Sequence, residues 1–457
     1  MTLPASLPRA TELREFYENP LAFLARAHAD FGDIFVLRED GPLFSRASDC
    51  SGVVAIFGAK SIQAVLTDTD VFCLPVSAAE HLALPQSLIN LNRGLHSMRR
   101  KQHDDHQRLL LQVFSGRSLE DTQWALNASL DAFVQSWNHN HQIALLKEMR
   151  RLTLELSGRL LFGEHYDDGE RVAVLAQKYF HLRRNVTFPF NSPNETTRQE
   201  LISLGSSLDQ AMREYIRWCR NPGRRADGLL ARLACLQMGG EFCFSEDEAV
   251  GHGNVTFMSI NEPIAVALTW TLLILSQLPQ LRRTLRDECE RALTSESSSP
   301  LLNSVIYESL RLFTPNALMS RITSRAALLN EVPLPERCEL VICPLLAHRD
   351  AGVFPRPTEF LPSRWQSIKP SPFEYFPFGA GGHACIGRSL GIKSIRAAFA
   401  FLTQRYELVL ASDQEIDWQI DIIFMPAMDP IMNLLKPGTT DDNAGRLLGQ
   451  TRQLIDL

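Results

Sequence analysis

The sequence predicts a mainly α-helical chain with small β-sheets, an α+β arrangement, and three observations carry that prediction. One apolar helix of unusual length can be read after residue 245, leucines recur at helical spacing through the 100s to 160s, and the strand-like pieces are few and short. With 457 residues the chain exceeds the roughly 250 to 300 at which one core usually stops growing, so two lobes or one elaborate domain are expected. No internal repeat, low-complexity tract or Gly/Ser linker divides it, so it is read as a single domain over 1–457. Residues 437–457, with GTTDDNAGRLLGQTRQ after Pro437, are read as a polar extension.

Taken in chain order, the N-terminal MTLPASLPRATELREF has no apolar core for a signal peptide, and its prolines and charges make it a poor membrane anchor. GDIFVLRED then reads as a strand, while LTLELSGRLLF and LISLGSSLDQAMREYIRWC read as helices. The long helix starts at Ser245, because Glu248 three residues later completes a capping box and Glu246 and Asp247 suit the positive end of the helix dipole. It is expected to end near Pro279 after about 33 residues, roughly 50 Å. Its uncharged stretch from Pro263 to Leu281 contains a nonpolar run of only about a dozen residues, broken by Thr269 and Thr271, which suits a buried helix better than a bilayer span. CELVICPL and YELVLA complete the strands.

Composition excludes several functions. Hydrophobic residues at 45%, charged residues at 21% and a net charge of -6 are those of a globular protein with no call for nucleic acid. Nine scattered cysteines with no CxxC pair argue against a disulfide framework or a zinc cluster and fit a reducing cytoplasm.

The cysteine in FPFGAGGHACIGRS, Cys385, has four readings at first sight: zinc ligand, redox thiol, structural thiol beside a phosphate-cradling loop, or thiolate ligand of a cofactor. GAGGHA matches the dinucleotide fingerprint in form, but the preceding SPFEYFPF, with Pro372 and Pro377, is a poor central parallel strand. The glycines Gly379, Gly381 and Gly382 suit a loop lying flat against a planar ligand. Gly387 then opens a helix with apolar positions Leu390, Ile395, Phe399 and Leu402, so Cys385 stands where the helix dipole and free N–H groups stabilise a thiolate.

Phe378, Gly381, Cys385 and Gly387 resemble the FxxGxxxCxG heme-binding loop of the cytochrome P-450 family, Glu308 and Arg311 its ExxR pair, and FLPSRW its FxPxRW segment with Ser363 where Glu is common. All three occur in the family's order, and AHRD at 347–350 and the long helix extend the likeness. Independently, Glu308 and Arg311 share a helix face and can pair, with Arg364 closing a charged triad. The resemblance implies a P-450 fold with heme b held between the long central helix and the Cys-loop helix, and Cys385 as iron ligand. It also implies contacts from Gly379, with His383, His103 and Arg321 as candidates for the heme propionates. Where the family has Arg or His four residues after His103, this chain has Gln107.

The largest departure falls in the long helix. The family's AGxET segment aligns with SINEP, so Glu262 keeps the acid while Pro263 replaces the threonine expected to hydrogen-bond dioxygen. Pro263 has no N–H and should kink the helix, leaving Asn261 and Glu262 as the polar groups of a dioxygen groove. The expected activity is monooxygenation of an apolar or amphipathic small molecule, such as one of secondary metabolism, using O2 and electrons from a ferredoxin or flavodoxin with its reductase. The missing threonine also admits, as the alternative, an isomerase, a dehydratase or a peroxide-driven enzyme, and a heme sensor is the remote alternative. Expected pocket walls are residues 75–95, YFHLRRNVTFPF, Met258 to Pro263, NALM and FMPAMDP.

Overall fold

A computed structural model of the chain describes residues 3–10, 12–45, 49–75, 84–114, 117–137, 141–163, 166–187, 195–223, 227–295, 299–420, 423–439 and 444–457. Two of the expected pocket walls fall partly outside them, at 76–83 and 188–190.

The central helix runs from Glu246 to Ser276 as the capping box dictates. Ser245 Oγ accepts from Glu248 N at 3.2 Å, and Glu248 Oε2 accepts from Ser245 N at 2.9 Å. From Ile264 to Ser276 every residue is buried, including Trp270, and each fully buried large apolar side chain contributes about 1.5–3 kcal/mol. The polar residues in that run are satisfied locally: Thr269 and Thr271 donate to Ala265 O at 2.8 Å and Ala267 O at 2.7 Å. This helix is long and apolar enough to cross a membrane, yet 89% of its most apolar window is buried inside the protein. The helix is continuous through Pro263.

Around it pack the helices Leu145–Phe162, Gln86–Leu91, Glu195–Cys219, Pro300–Leu312 and Arg388–Arg405. Beside this bundle lies a five-stranded sheet in the order Ile34–Arg38, Val53–Ile56, Glu339–Ile342, Met319–Thr323, Phe72–Cys73. Its pairings are antiparallel except between Val53–Ile56 and Glu339–Ile342, where Glu339 faces Val53 and Ile342 faces Ile56. The three strand-like sequence pieces are strands, and YELVLA supplies Glu407–Leu410 to a second sheet with Ile431–Leu435 and Gln142–Ala144.

The tail differs from the expectation of a polar extension. Leu447–Leu448 pairs in parallel with Gln414–Glu415, Asp456 bridges to Glu359, and Leu447, Thr451 and Ile455 are buried. A few buried side chains in a polar segment suffice to dock it, helped by backbone bonds such as Gly445 N to Leu410 O at 2.8 Å and Asp456 N to Thr358 O at 2.9 Å.

Candidate functional site

Cys385 stands at the mouth of the helix Arg388–Arg405, on a loop whose shape is fixed by backbone geometry. Gly379 and Gly381 take φ of +70° and +69°, and a Cβ at Gly381 would lie 2.0 Å from Leu66 O, so only glycine fits there. Cys385 N donates to Phe378 O at 2.8 Å and Gly379 N to Phe376 O at 2.9 Å, closing the loop on itself. Burial pushes the Cys385 thiol up, against the opposing pull of the Gly387 N–H and the Arg388 charge. The residue as a whole is nevertheless exposed, so it is not sealed into the core. Phe378 packs over Gly391 of the following helix, where a Cβ would approach its ring to 3.4 Å.

The loop rests on the charged triad. Glu308 and Arg311 are fully buried, and Arg311 meets the carboxylate through Nε at 3.0 Å and Nη2 at 2.9 Å. Arg364 Nε donates to Glu308 Oε1 at 2.9 Å, and Trp365 Nε1 and Leu361 N add bonds at 3.0 and 2.9 Å. The remaining guanidinium hydrogens of Arg311 hold the carbonyls of His348, Pro357 and Glu359 at 2.7–3.1 Å. His348, the histidine of AHRD, in turn accepts from Phe376 N at 3.0 Å through Nε2, which ties the triad to the start of the cysteine loop. Burial lowers the His348 pKa to about 3, keeping that nitrogen a free acceptor.

Three of the expected propionate contacts converge. His383 Nδ1 lies 2.9 Å from His103 Nε2, and Arg321 is close enough to help depress His383, whose pKa burial lowers to about 4. Arg321 is itself buried, its Nε has no hydrogen-bond partner and its pKa falls to about 10 through desolvation. Asp104 contacts the outer nitrogen of His103 at 3.2 Å. A buried guanidinium with an orphaned N–H beside two imidazoles fits carboxylates of a bound group, so the residues present fit heme. Gln107 Nε2 donates to Gly382 O at 2.9 Å, bracing the loop where a charged residue is usual.

Asn261 and Glu262 require correction. Asn261 Nδ2 points to Ser157 Oγ at 3.5 Å, and Glu262, only 1% exposed, receives Arg150 Nε on both oxygens at 3.1 Å as well as Arg150 Nη2. Both side chains are held by the helix Leu145–Phe162 and neither opens onto a space. Counted from Ser259 at about 100° per residue, Asn261 lies on the opposite side of the helix, while Glu262 lies about 60° round on the flank, where Arg150 holds it. Ser259 is exposed between the buried Met258 and Ile260, and Pro263 is half-buried, which makes these two the accessible residues of SINEP. His96 shows the same signature, accessible at its surface while burial and Arg183 lower its pKa to about 4. Arg183 Nη1 reaches Met258 Sδ at 3.7 Å.

Sequence reasoning missed Arg150, His348 as a support and His96, while Ser259 fell within the expected wall from Met258 to Pro263 without being given a role. Arg150 lies 112 residues from its partner and had no local signal.

A family model described as Cytochrome P450 matches residues 24–428. Cyclooctatin synthase from Streptomyces melanosporofaciens is 25% identical over 428 residues, covering 89% of each chain. Cytochrome P450 72C1 from Arabidopsis thaliana is 23% identical over 322 residues, a stretch that covers 64% of this chain and spans only 60% of that protein. Among solved structures, the retinoic-acid-bound cyanobacterial CYP120A1 superposes with a TM-score of 0.80 at 18% identity, covering 95% of this chain and 100% of that one. The heme domain of cytochrome P450DA gives 0.76 at 19% identity, covering 91% and 92%. With its buried ExxR triad, its glycine-shaped cysteine loop and a family match across most of its length, this chain belongs to the cytochrome P450 family.

Proposed function

We propose that the chain is a heme-thiolate monooxygenase in which Cys385 ligates the iron of heme b and an apolar or amphipathic small molecule is oxidised in the chamber under the central helix. The single observation that carries this reading is the exposed Cys385 on a loop shaped by glycines at positive φ, with the Gly387 N–H directed at its sulfur. Heme, when bound there, supplies the reductive activation of dioxygen.

The residues around it have separate tasks. Phe378 and the glycines hold Cys385 in place, and the Gly387 N–H tempers the donor strength of its sulfur. Arg321, His383 and His103 receive the carboxylates of the cofactor. Met258, Leu318, Met319 and Pro263 provide an apolar wall that excludes water and favours carbon-rich substrates. A ferredoxin or flavodoxin with its reductase as electron donor, a cytoplasmic setting and a place in secondary metabolism belong to the same proposal. Pro263 is the observation that favours a second reading, a heme-thiolate isomerase, dehydratase or peroxide-driven enzyme.

The two readings separate in one experiment. Compounds that shift the heme absorption by displacing water from the iron are offered to the protein with and without reductant and oxygen. Conversion only when both are present is expected, and full-rate conversion with neither overturns the monooxygenase reading.

A further inference from the structure

Resting on the monooxygenase reading, we propose that a polar stripe of the central helix, Glu248, His252, Thr256 and Ser259, completed by His106 of the helix Arg100–Phe114, carries protons from the surface to the chamber. At 100° per residue, positions 248, 252, 256, 259 and 263 fall within an arc of about 80°, so they form one face of a helix that is otherwise largely apolar. The stripe starts at solvent. Glu248, whose side chain is 24% exposed, is oriented by its bonds to Ser245 and stands 3.5 Å from His106 Nε2. His106 Nδ1 is 2.8 Å from His252 Nε2, and His252 is 2% exposed, with the Phe244 ring 5.1 Å away.

Further along the helix, Thr256 is half-buried one turn on, and Ser259 is exposed. Successive residues of the stripe are about 5–6 Å apart, a gap that one water bridges. Pro263 gives the inner end its character. Because proline has no N–H, the Ser259 carbonyl lacks its usual helical donor and is available to a water, beside the Ser259 hydroxyl. Glu262, the acid expected to do this work, is held by Arg150.

The transfer balances without any added oxidant or reductant. His106 takes a proton at Nε2 from the Glu248 side and gives its Nδ1 proton to His252 Nε2. His252 then releases its own Nδ1 proton toward Thr256 and Ser259, so each ring gains one proton and loses one. The ionisable groups acting on His106 are Glu248, Asp105 and His252, and those acting on His252 are His106 and His96, with Arg183 acting on His96. Burial lowers the His252 pKa to about 3, so both rings rest in the neutral form that can donate and accept.

The test uses the heme-loaded full chain, reduced by a mediated electrode so that no protein partner or organic substrate is needed, with oxygen as the probe. Peroxide and water formed per oxygen consumed are measured in H2O and D2O. Ser259→Ala and His106→Phe are expected to raise the peroxide-to-water ratio on the order of tenfold or more, with Ser259→Thr restoring it. His106→Gln replaces the phenylalanine variant should the latter fail to fold. Independently of turnover, the nitrogen-15 spectrum of the reduced carbonyl protein should show a strongly downfield N–H proton shared by His106 and His252, absent in His106→Gln. Oxygen consumption by the parent with unchanged ratios in Ser259→Ala and the His106 variant overturns the relay and leaves the monooxygenase reading standing. A reduced, heme-loaded parent that takes up no oxygen overturns both.

Discussion

Replacing Glu308 by Ala removes the acceptor of five hydrogen bonds, two from Arg311 and one each from Arg364, Trp365 and the Leu361 N–H. Arg311 and Arg364 are 0% and 4% exposed, so both cations are left in the interior without a counter-charge. Breaking a buried pair in this way costs about 3–5 kcal/mol, and a stranded buried donor adds about 1–3 kcal/mol. The sum, about 4–8 kcal/mol, is comparable with the whole net stability of a typical domain, about 5–15 kcal/mol. Loss of the triad also loosens Arg311 from the His348 carbonyl, and with it the His348 Nε2 that receives Phe376 N at the base of the cysteine loop. Glu308→Ala is therefore expected to purify with little heme and to melt at least about 5 °C below the parent. Glu359→Gln, which breaks only the exposed pair with Arg356, is the control and should stay within about 1 kcal/mol of the parent. The assay is the heme-to-protein absorbance ratio with a thermal melt. A Glu308→Ala protein with full heme and the parent's melting temperature refutes the view that the triad supports the loop.

Gly381→Ala places a Cβ 2.0 Å from Leu66 O at φ +69°, so it should lose heme binding while Gly223→Ala, at φ +89° with open space around it, retains it. Glu262→Ala strands Arg150 and is expected to lower the melting temperature without changing the peroxide-to-water ratio, since Glu262 is buried and held by Arg150. A changed ratio with unchanged stability would return Glu262 to the chemistry. Stability should fall on acidification: His348 and His252 are held neutral in the folded protein at about 3 against 6.5 unfolded, so the unfolded chain binds more protons between these values. Melts recorded from pH 7.5 to 4.5 should therefore descend below about pH 6.5, and a flat profile contradicts the buried, neutral assignment. Arg321→Met should weaken heme affinity, read by transfer of heme to apomyoglobin, with the melting temperature of the heme-free protein little changed.

Much of the site was legible because its signals are local. The capping box at Ser245, the glycines around Cys385 and the three-residue spacing of Glu308 and Arg311 each specify their geometry within one or two turns of chain. Arg364 was legible only as the companion of that pair. What escaped depends on contacts between distant segments. Nothing near Arg150 marks it as the partner of Glu262, and nothing near His106 and His252, 146 residues apart, marks them as hydrogen-bonded. The tail was misread for a related reason: its polar composition is that of an extension, while its docking rests on a few residues, Leu447, Thr451 and Ile455, whose neighbours lie far away in sequence. The direction of Asn261 was a different kind of miss, because helical phase counted from Pro263 places it on the opposite face.

The heme-thiolate assignment stands on Cys385 as the iron ligand. The absorption spectrum of the reduced carbonyl complex of the purified full chain tests this most directly, recorded beside Cys385→Ala. A thiolate-ligated heme gives a strongly red-shifted Soret band, and the variant should lose it while the triad and the rest of the fold remain intact by thermal melt. An unshifted band in the parent, or the parent's red-shifted band persisting in Cys385→Ala, would contradict the assignment and move the ligand elsewhere in the chain.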